Sequence, residues 1–111
     1  MRWLLTVLMG ALSMAAQSDG LKEGMSFLQA RKSLVREGWQ PRKVHTNDGY
    51  QFIGTEKTLL QSGIDEVESC AIDHPYCIFN YRKGASCLRV ITIGERTKDL
   101  KINRWTNDCP E

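Results

Sequence analysis

Apolar residues in SFLQARKSLVREG recur at helical spacing. Phe27, Ala30 and Leu34 share one face, with Val35 at its margin. Arg31, Lys32, Arg36 and Glu37 lie mostly elsewhere on the segment. Ser26, followed three residues later by Gln29, has the form of a capping box, in which hydroxyl and amide satisfy free N–H groups of the first turn. Gly38 closes the pattern, because glycine enters the left-handed conformation without steric cost, and Trp39 can fold back on the last turn. The spacing predicts a helix over 26–38. A second, shorter helix is expected over 55–62, with Thr55 as cap and Gly63 as terminator. LVREGW and LLQSGI therefore carry the same stop device.

Pro41 keeps the first helix from resuming, and RKVHT reads as a short extended piece. In TNDGYQFIGT, the turn signal Asp48-Gly49 precedes alternating aromatics, Tyr50 and Phe52. That pattern fits a strand or an irregular loop displaying its aromatics. Beyond Gly63 the period changes. DEVESCAI, CIFNYRK, CLRVITIGE and LKINRWTNDC are rich in β-branched or aromatic residues and are separated by DHPY, GAS and RTKD. Such short links imply antiparallel neighbours, since a parallel crossover needs a dozen or more residues. The expected fold is α+β: two helices packed on a four-stranded antiparallel sheet, after a flexible lead-in over 19–23.

The N-terminus reads differently from the rest. Met1 and Arg2 form a minimal positive region, Trp3 to Leu12 is apolar apart from Thr6 and Gly10, and SMAAQSD supplies small residues for cleavage. Ser13 and Ala15 fit the −3 and −1 positions, and Ala16 and Ser18 fit them almost as well. The expectation is a signal peptide over 1–15, cleaved within 15–18, and a single domain over 16–111. The apolar run is short for a bilayer, which takes about 20 residues to cross, so no membrane insertion is expected after cleavage. With no cysteine near the cleavage region, a lipid anchor is not expected either.

All four cysteines, Cys70, Cys77, Cys87 and Cys109, lie beyond this segment. An even cysteine count in a short exported chain implies an oxidising destination and disulfides. Placed on the strand pattern, Cys70 and Cys77 face each other across one hairpin. Cys87 and Cys109 meet at the open end of another. The pairs Cys70–Cys77 and Cys87–Cys109 are thus favoured over the two other connectivities. Loop closure assigns them about 2.5 and about 3.4 kcal/mol. Zinc is the competing reading, but the spacings do not match the usual pairs two to four residues apart, and His74 sits inside the first loop. No metal or other cofactor is expected.

Charge adds little. The chain carries 15 Lys and Arg against 13 Asp and Glu. These are interspersed rather than gathered into the basic stripe that a phosphate backbone requires, so nucleic acid is not an expected partner. GMSFLQARKSLVREGWQP, LLQSGIDEVESC, YCIFNY and LRVITIGE together resemble a family of small exported bacterial proteins of unknown function. The shared features are a helix ending in GW, a G-x-x-E-V-x-x-C step into a sheet and a C-x-F-x-Y strand. The helix–helix–sheet layout resembles the domains of the beta-lactamase inhibitory protein and of SmpA-type outer-membrane assembly proteins. The resemblance implies a periplasmic or secreted α+β domain and assigns no site residue.

His45 and His74 stand outside any nucleophile or metalloprotease signature. Asp73-His74-Pro75-Tyr76 reads as a hairpin loop shaped by Asp73 and Pro75. Asp65, Glu66 and Glu68 form an acidic run in which Glu66 and Glu68 share one strand face, expected to be solvent. Phe79, Tyr81 and Trp105 are expected in the core. Tyr50, Phe52, His74 and Tyr76 sit beside turn signals and are the candidate protein-binding residues, since exposed aromatics on braced loops make interaction anchors. No catalytic residue is expected. The expectation is a non-enzymatic envelope protein with a protein partner, an inhibitor or immunity factor being the narrower form. The alternatives are a structural or assembly-assisting envelope component and a small hydrolase of envelope polymers.

Overall fold

A computed structural model of the chain describes residues 20–110. The expected signal peptide over 1–15 and its cleavage site lie outside the described residues. Helix α1 spans Phe27–Arg36. Its first turn is capped by Ser26, whose hydroxyl accepts from the Gln29 N–H at 3.3 Å. Phe27, Ala30 and Leu34 are buried, whereas Val35 is 47% exposed and lies off the packed face. Helix α2 spans Thr55–Gln61. Gly54, not Thr55, occupies its cap position, and the Gly54 carbonyl accepts from Lys57 and Thr58.

Both helices stop in the same way. In α1, Trp39 N–H bonds the Leu34 carbonyl and Gly38 N–H that of Val35; in α2, Ile64 bonds Leu59 and Gly63 bonds Leu60. This paired pattern needs a left-handed residue just past the helix. Gly38 and Gly63 provide it, with φ of 101° and 83°. The apolar residue after each glycine, Trp39 or Ile64, is buried and joins the core.

The sheet has five antiparallel strands rather than four. β1 is Gln40–Pro41, β2 Val67–Cys70, β3 Tyr76–Lys83, β4 Ser86–Ile93 and β5 Lys101–Thr106. β3, β4 and β5 form a meander, and β1 and β2 lie end to end along the free edge of β3. The main chain of Asn80 bridges the join, donating to the Glu66 carbonyl and accepting from Arg42 N–H. Pro41 fits β1 because the strand is at the edge, where a missing donor is tolerated. The extended piece expected at RKVHT is therefore displaced to the two preceding residues. TNDGYQFIGT is irregular rather than a strand.

Alternation along β3 and β4 puts Cys77, Phe79 and Tyr81 with Leu88, Val90 and Thr92 on one face, all buried. Phe27 of α1 stacks on Phe79, with ring centroids 4.1 Å apart. Leu59 of α2 is buried in the same cluster, as are Ile64, Leu100 and Ile102. The lead-in also packs. Leu21 is buried, and Gly24, Met25 and Phe27 exchange backbone hydrogen bonds with Leu100 and Ile102, so this stretch covers part of the outer edge of β5. Trp105 departs from the expected core position and is 38% exposed.

Two disulfides staple the sheet, Cys70–Cys77 and Cys87–Cys109, with Cα separations of 4.0 and 6.3 Å. The first joins directly opposed residues of β2 and β3. The second ties the start of β4 to the tail after β5, since β5 ends at Thr106 rather than at Cys109. That tail is also held by Asn107, whose side-chain amide donates to the Cys87 carbonyl at 2.7 Å.

Of the described glycines, Gly94, in the turn between β4 and β5, is the most tightly enclosed. A Cβ there would lie 2.7 Å from the Asp99 carbonyl oxygen and 3.0 Å from Leu100 Cα. Gly94→Ala should lower stability by about 2–3 kcal/mol in urea unfolding. Gly84→Ala, at a left-handed turn position with no heavy atom within 4 Å of the added carbon, should cost about 1 kcal/mol. Equal losses would show that the β4–β5 turn yields to the extra carbon.

Candidate functional site

Three glutamates surround β2, and each is met by fixed donors. Glu66, fully buried just before the strand, accepts a two-pronged hydrogen bond from Arg31 of α1 and another from the Tyr81 hydroxyl of β3 at 2.7 Å. Glu68 accepts from Arg89 Nε and Nη2 at 3.1 and 2.6 Å and from the Asn80 amide at 3.0 Å. Burial alone would raise the Glu68 carboxyl, but the hydrogen bonds from Arg89 and Asn80 outweigh it, and the pKa lies below the usual range. Glu56, buried in the first turn of α2, accepts from the Tyr50 hydroxyl, Ile53 N–H and Cys70 N–H.

The expectation that Glu66 and Glu68 share a solvent face therefore fails. A register shift between Val67 and Ser69 breaks the alternation: Glu66 turns into the core to Arg31 and Tyr81, while Glu68 lies 18% exposed on the opposite face, held by Asn80 and Arg89. Desolvation next to Glu66 likewise pushes the Tyr81 phenol well above its ordinary pKa. The Arg31 guanidinium, hydrogen-bonded to Glu66 against the opposing effect of burial, rises too.

The four sequence-derived candidates fall into two pairs. Tyr50 and Phe52 meet edge to face at 4.9 Å, and His45 stacks flat on Tyr50 at 3.8 Å. The Tyr50 hydroxyl points to buried Glu56, and desolvation with that hydrogen bond pushes the phenol up to about 12. Phe52 is half-buried and packs against the core. Tyr50 nonetheless remains 37% exposed, so the pair braces the irregular segment while Tyr50 stays at the surface as expected.

His74 and Tyr76 stand together on the β2–β3 hairpin, with ring centroids 6.4 Å apart. His74 Nε2 lies 3.9 Å from Asp73 Oδ2, both side chains mostly in solvent, so the two share an ion-pair distance without a hydrogen bond. The hairpin tip, the segment leading into α2 and the end of β4 form one end of the molecule. Gly94 N–H bonds the Pro75 carbonyl at 2.8 Å, and the Thr55 hydroxyl reaches the Glu95 carbonyl at 3.5 Å.

A shallow groove of about 220 Å³ runs between these loops, from Thr55 past Ala71 and His74 to Glu95. Of the exposed apolar side chains that the sequence reading missed, Ile72 at 87% lines this groove with Tyr76 at 39%. Ile53 at 56% lines an adjoining depression with Ile72, and Ile93 at 38% lies opposite Tyr76 in the β3–β4 ladder. Ile72 counts as strand by composition, but β2 ends at Cys70 and leaves it in the turn. Its place directly before DHPY was the available signal.

Among the described residues, no group of three His, Cys, Asp or Glu side chains is placed to hold a metal ion. No described helix is long and apolar enough to cross a membrane. Fold and site define a disulfide-stapled α+β domain with an apolar loop end. Comparison with protein families, curated proteins and solved structures returned no match for this chain.

The Arg31–Glu66–Tyr81 group should be a stability element. Arg31→Met leaves a buried carboxylate with only a phenol for company and should cost about 3 kcal/mol in urea unfolding. Replacing all three (Arg31→Met, Glu66→Leu, Tyr81→Phe) should regain most of that loss, because no charge is then stranded. A triple variant less stable than Arg31→Met alone would count against this account.

Proposed function

We propose that the chain is an exported, non-enzymatic protein-binding module of the bacterial envelope. Its contact surface is the loop end carrying Ile72, Tyr76, Ile93 and Ile53. The supporting observation is the convergence there of exposed large apolar side chains around a groove, on loops tied down by Cys70–Cys77 and the Gly94–Pro75 hydrogen bond. Grouped exposed apolar residues mark interaction sites more often than singly scattered ones do. A rigid aromatic such as Tyr76 is a good anchor because it covers area at low entropy cost. Two disulfides suit a periplasmic or secreted location. An inhibitor or immunity factor is the narrower form of this reading, because such proteins act through a preformed surface of this kind.

The test is capture of a partner from envelope extract by the mature protein and by variants, with folding checked by circular dichroism. Ile72→Asp and Tyr76→Ala should each reduce capture at least about tenfold, as loss of an interface anchor does. Lys32→Glu, an exposed change on α1, should leave capture unchanged. A secreted hydrolase or toxin as partner supports the inhibitor form, and an assembly component supports the structural alternative. Undiminished capture by both loop-end variants would place the contact elsewhere and overturn the assignment.

A further inference from the structure

Among the described residues, β2 has one strand neighbour, β3, and an outer edge that no strand covers. Main-chain groups on such an edge need partners or water. Here two side chains take that role. His45 Nε2 lies 2.7 Å from the Glu68 carbonyl oxygen, and the Glu56 carboxylate accepts from Cys70 N–H at 2.7 Å. Both main-chain groups are met by residues of the 45–56 stretch rather than by β3. The intervening chain, 44–54, has no helix or strand of its own. It is held by His45 at one end and by Tyr50 and Ile53 on Glu56 at the other.

The chemistry at His45 is unusual in one respect. Its Nδ1 lies 2.8 Å from the Asp48 carboxylate, while its Nε2 faces a carbonyl. Both partners are acceptors only. A neutral imidazole donates through one nitrogen, so it can satisfy one of them and must turn a lone pair toward the other. Only the imidazolium donates to both. We propose that segment 44–54 is a proton-operated clasp over the outer edge of β2, closed while His45 carries a proton on each ring nitrogen and loosened when it loses one. Loosening returns the Glu68 carbonyl to solvent, while Glu56 keeps its hold on the Cys70 N–H.

The surroundings bias His45 toward the charged form. Facing it are Asp48 and Tyr50 from its own segment and Glu68 from β2. Glu68 is itself held by Arg89 of β4 and Asn80 of β3, and Tyr50 by Glu56 of α2. Partial burial of the ring opposes the charge, but the hydrogen bonds to Asp48 and Glu68 outweigh it, and the His45 pKa lies above its ordinary value. The hydrogen bond from His45 holds Asp48 below the usual carboxylate range, so the carboxylate stays an acceptor. The Tyr50 phenol is pushed up to about 12 and remains neutral throughout. A raised folded pKa fixes the sign. The contribution of His45 is complete below the unfolded histidine value of about 6.5 and is lost as pH rises through the higher folded value.

The test is an NMR titration of the mature, oxidised protein from pH 5 to 9, following the His45 ring nitrogens and the amides of Asp48, Tyr50 and Ile53. The expected result is a His45 midpoint above the ordinary histidine value, both nitrogens protonated below it, and amides of the clasp moving with the same midpoint. Asp48→Asn should lower that midpoint and leave the His74 signal unmoved. His45→Gln should abolish the step in the clasp amides. A His45 midpoint at or below the ordinary value, clasp amides that ignore it, or an unmoved midpoint in Asp48→Asn would each overturn the proposal. Because the wild-type titration and Asp48→Asn decide the matter, a poorly folding His45→Gln would not shield it.

Discussion

A strand of four residues with a single neighbour cannot hold its place by ladder hydrogen bonds alone, and the structure is organised around keeping β2 where it is. Every layer sends a side chain to it. From α1 comes Arg31 to Glu66; from β3 come Tyr81 to Glu66 and Asn80 to Glu68; from β4 comes Arg89 to Glu68. From α2 comes Glu56 to the Cys70 N–H, and the disulfide fixes the same residue to β3. A domain this small has a limited apolar core, so polar anchors and disulfides carry more of the work of fixing its elements. The anchors are safe only as a complete set, since a buried carboxylate left without its partner is costly.

Much of this was legible in the residues. The helix stops at Gly38 and Gly63 could be read because a left-handed residue followed by an apolar one has a single physical meaning at that position. The antiparallel meander followed from the short links, and the strand pattern paired Cys70 with Cys77 and Cys87 with Cys109 as the structure has them, though Cys109 lies in the tail beyond β5. β1 was not legible, because two residues including a proline carry no periodic signal. They are strand only because β3 offers them an edge.

The candidate site was less legible, and the reason is alternation. Period-two reasoning sends Glu66 and Glu68 to one face, and it fails where a register shift inserts an extra residue between Val67 and Ser69. A bulge leaves no mark on composition. The partners Arg31 and Tyr81 come from elements 35 and 15 residues away from Glu66, a distance over which sequence alone pairs nothing. Tyr50 and Phe52 were rightly placed beside a turn: Phe52 packs against the core, while Tyr50 stays 37% exposed even though its phenol reaches the buried acceptor Glu56. His74 and Tyr76 lack such an acceptor in their hairpin and stay at the surface.

This division of labour bears on where function can reside. A carboxylate that already accepts three hydrogen bonds from fixed donors has little capacity left for a substrate or a transferable proton, and Glu56, Glu66 and Glu68 are all in that condition. The loop end is built the other way. Its main chain is pinned by Cys70–Cys77, by Gly94 on Pro75 and by Thr55 on Glu95, while its apolar side chains face water. Exposed apolar area on a mobile loop would lose much of its binding energy to ordering; on a pinned loop that entropy has already been lost in folding. The polar anchors under β2 and the exposed isoleucines at its tip are therefore two halves of one design. On the proposed reading, the first gives the rigidity that makes the second a contact surface rather than a liability.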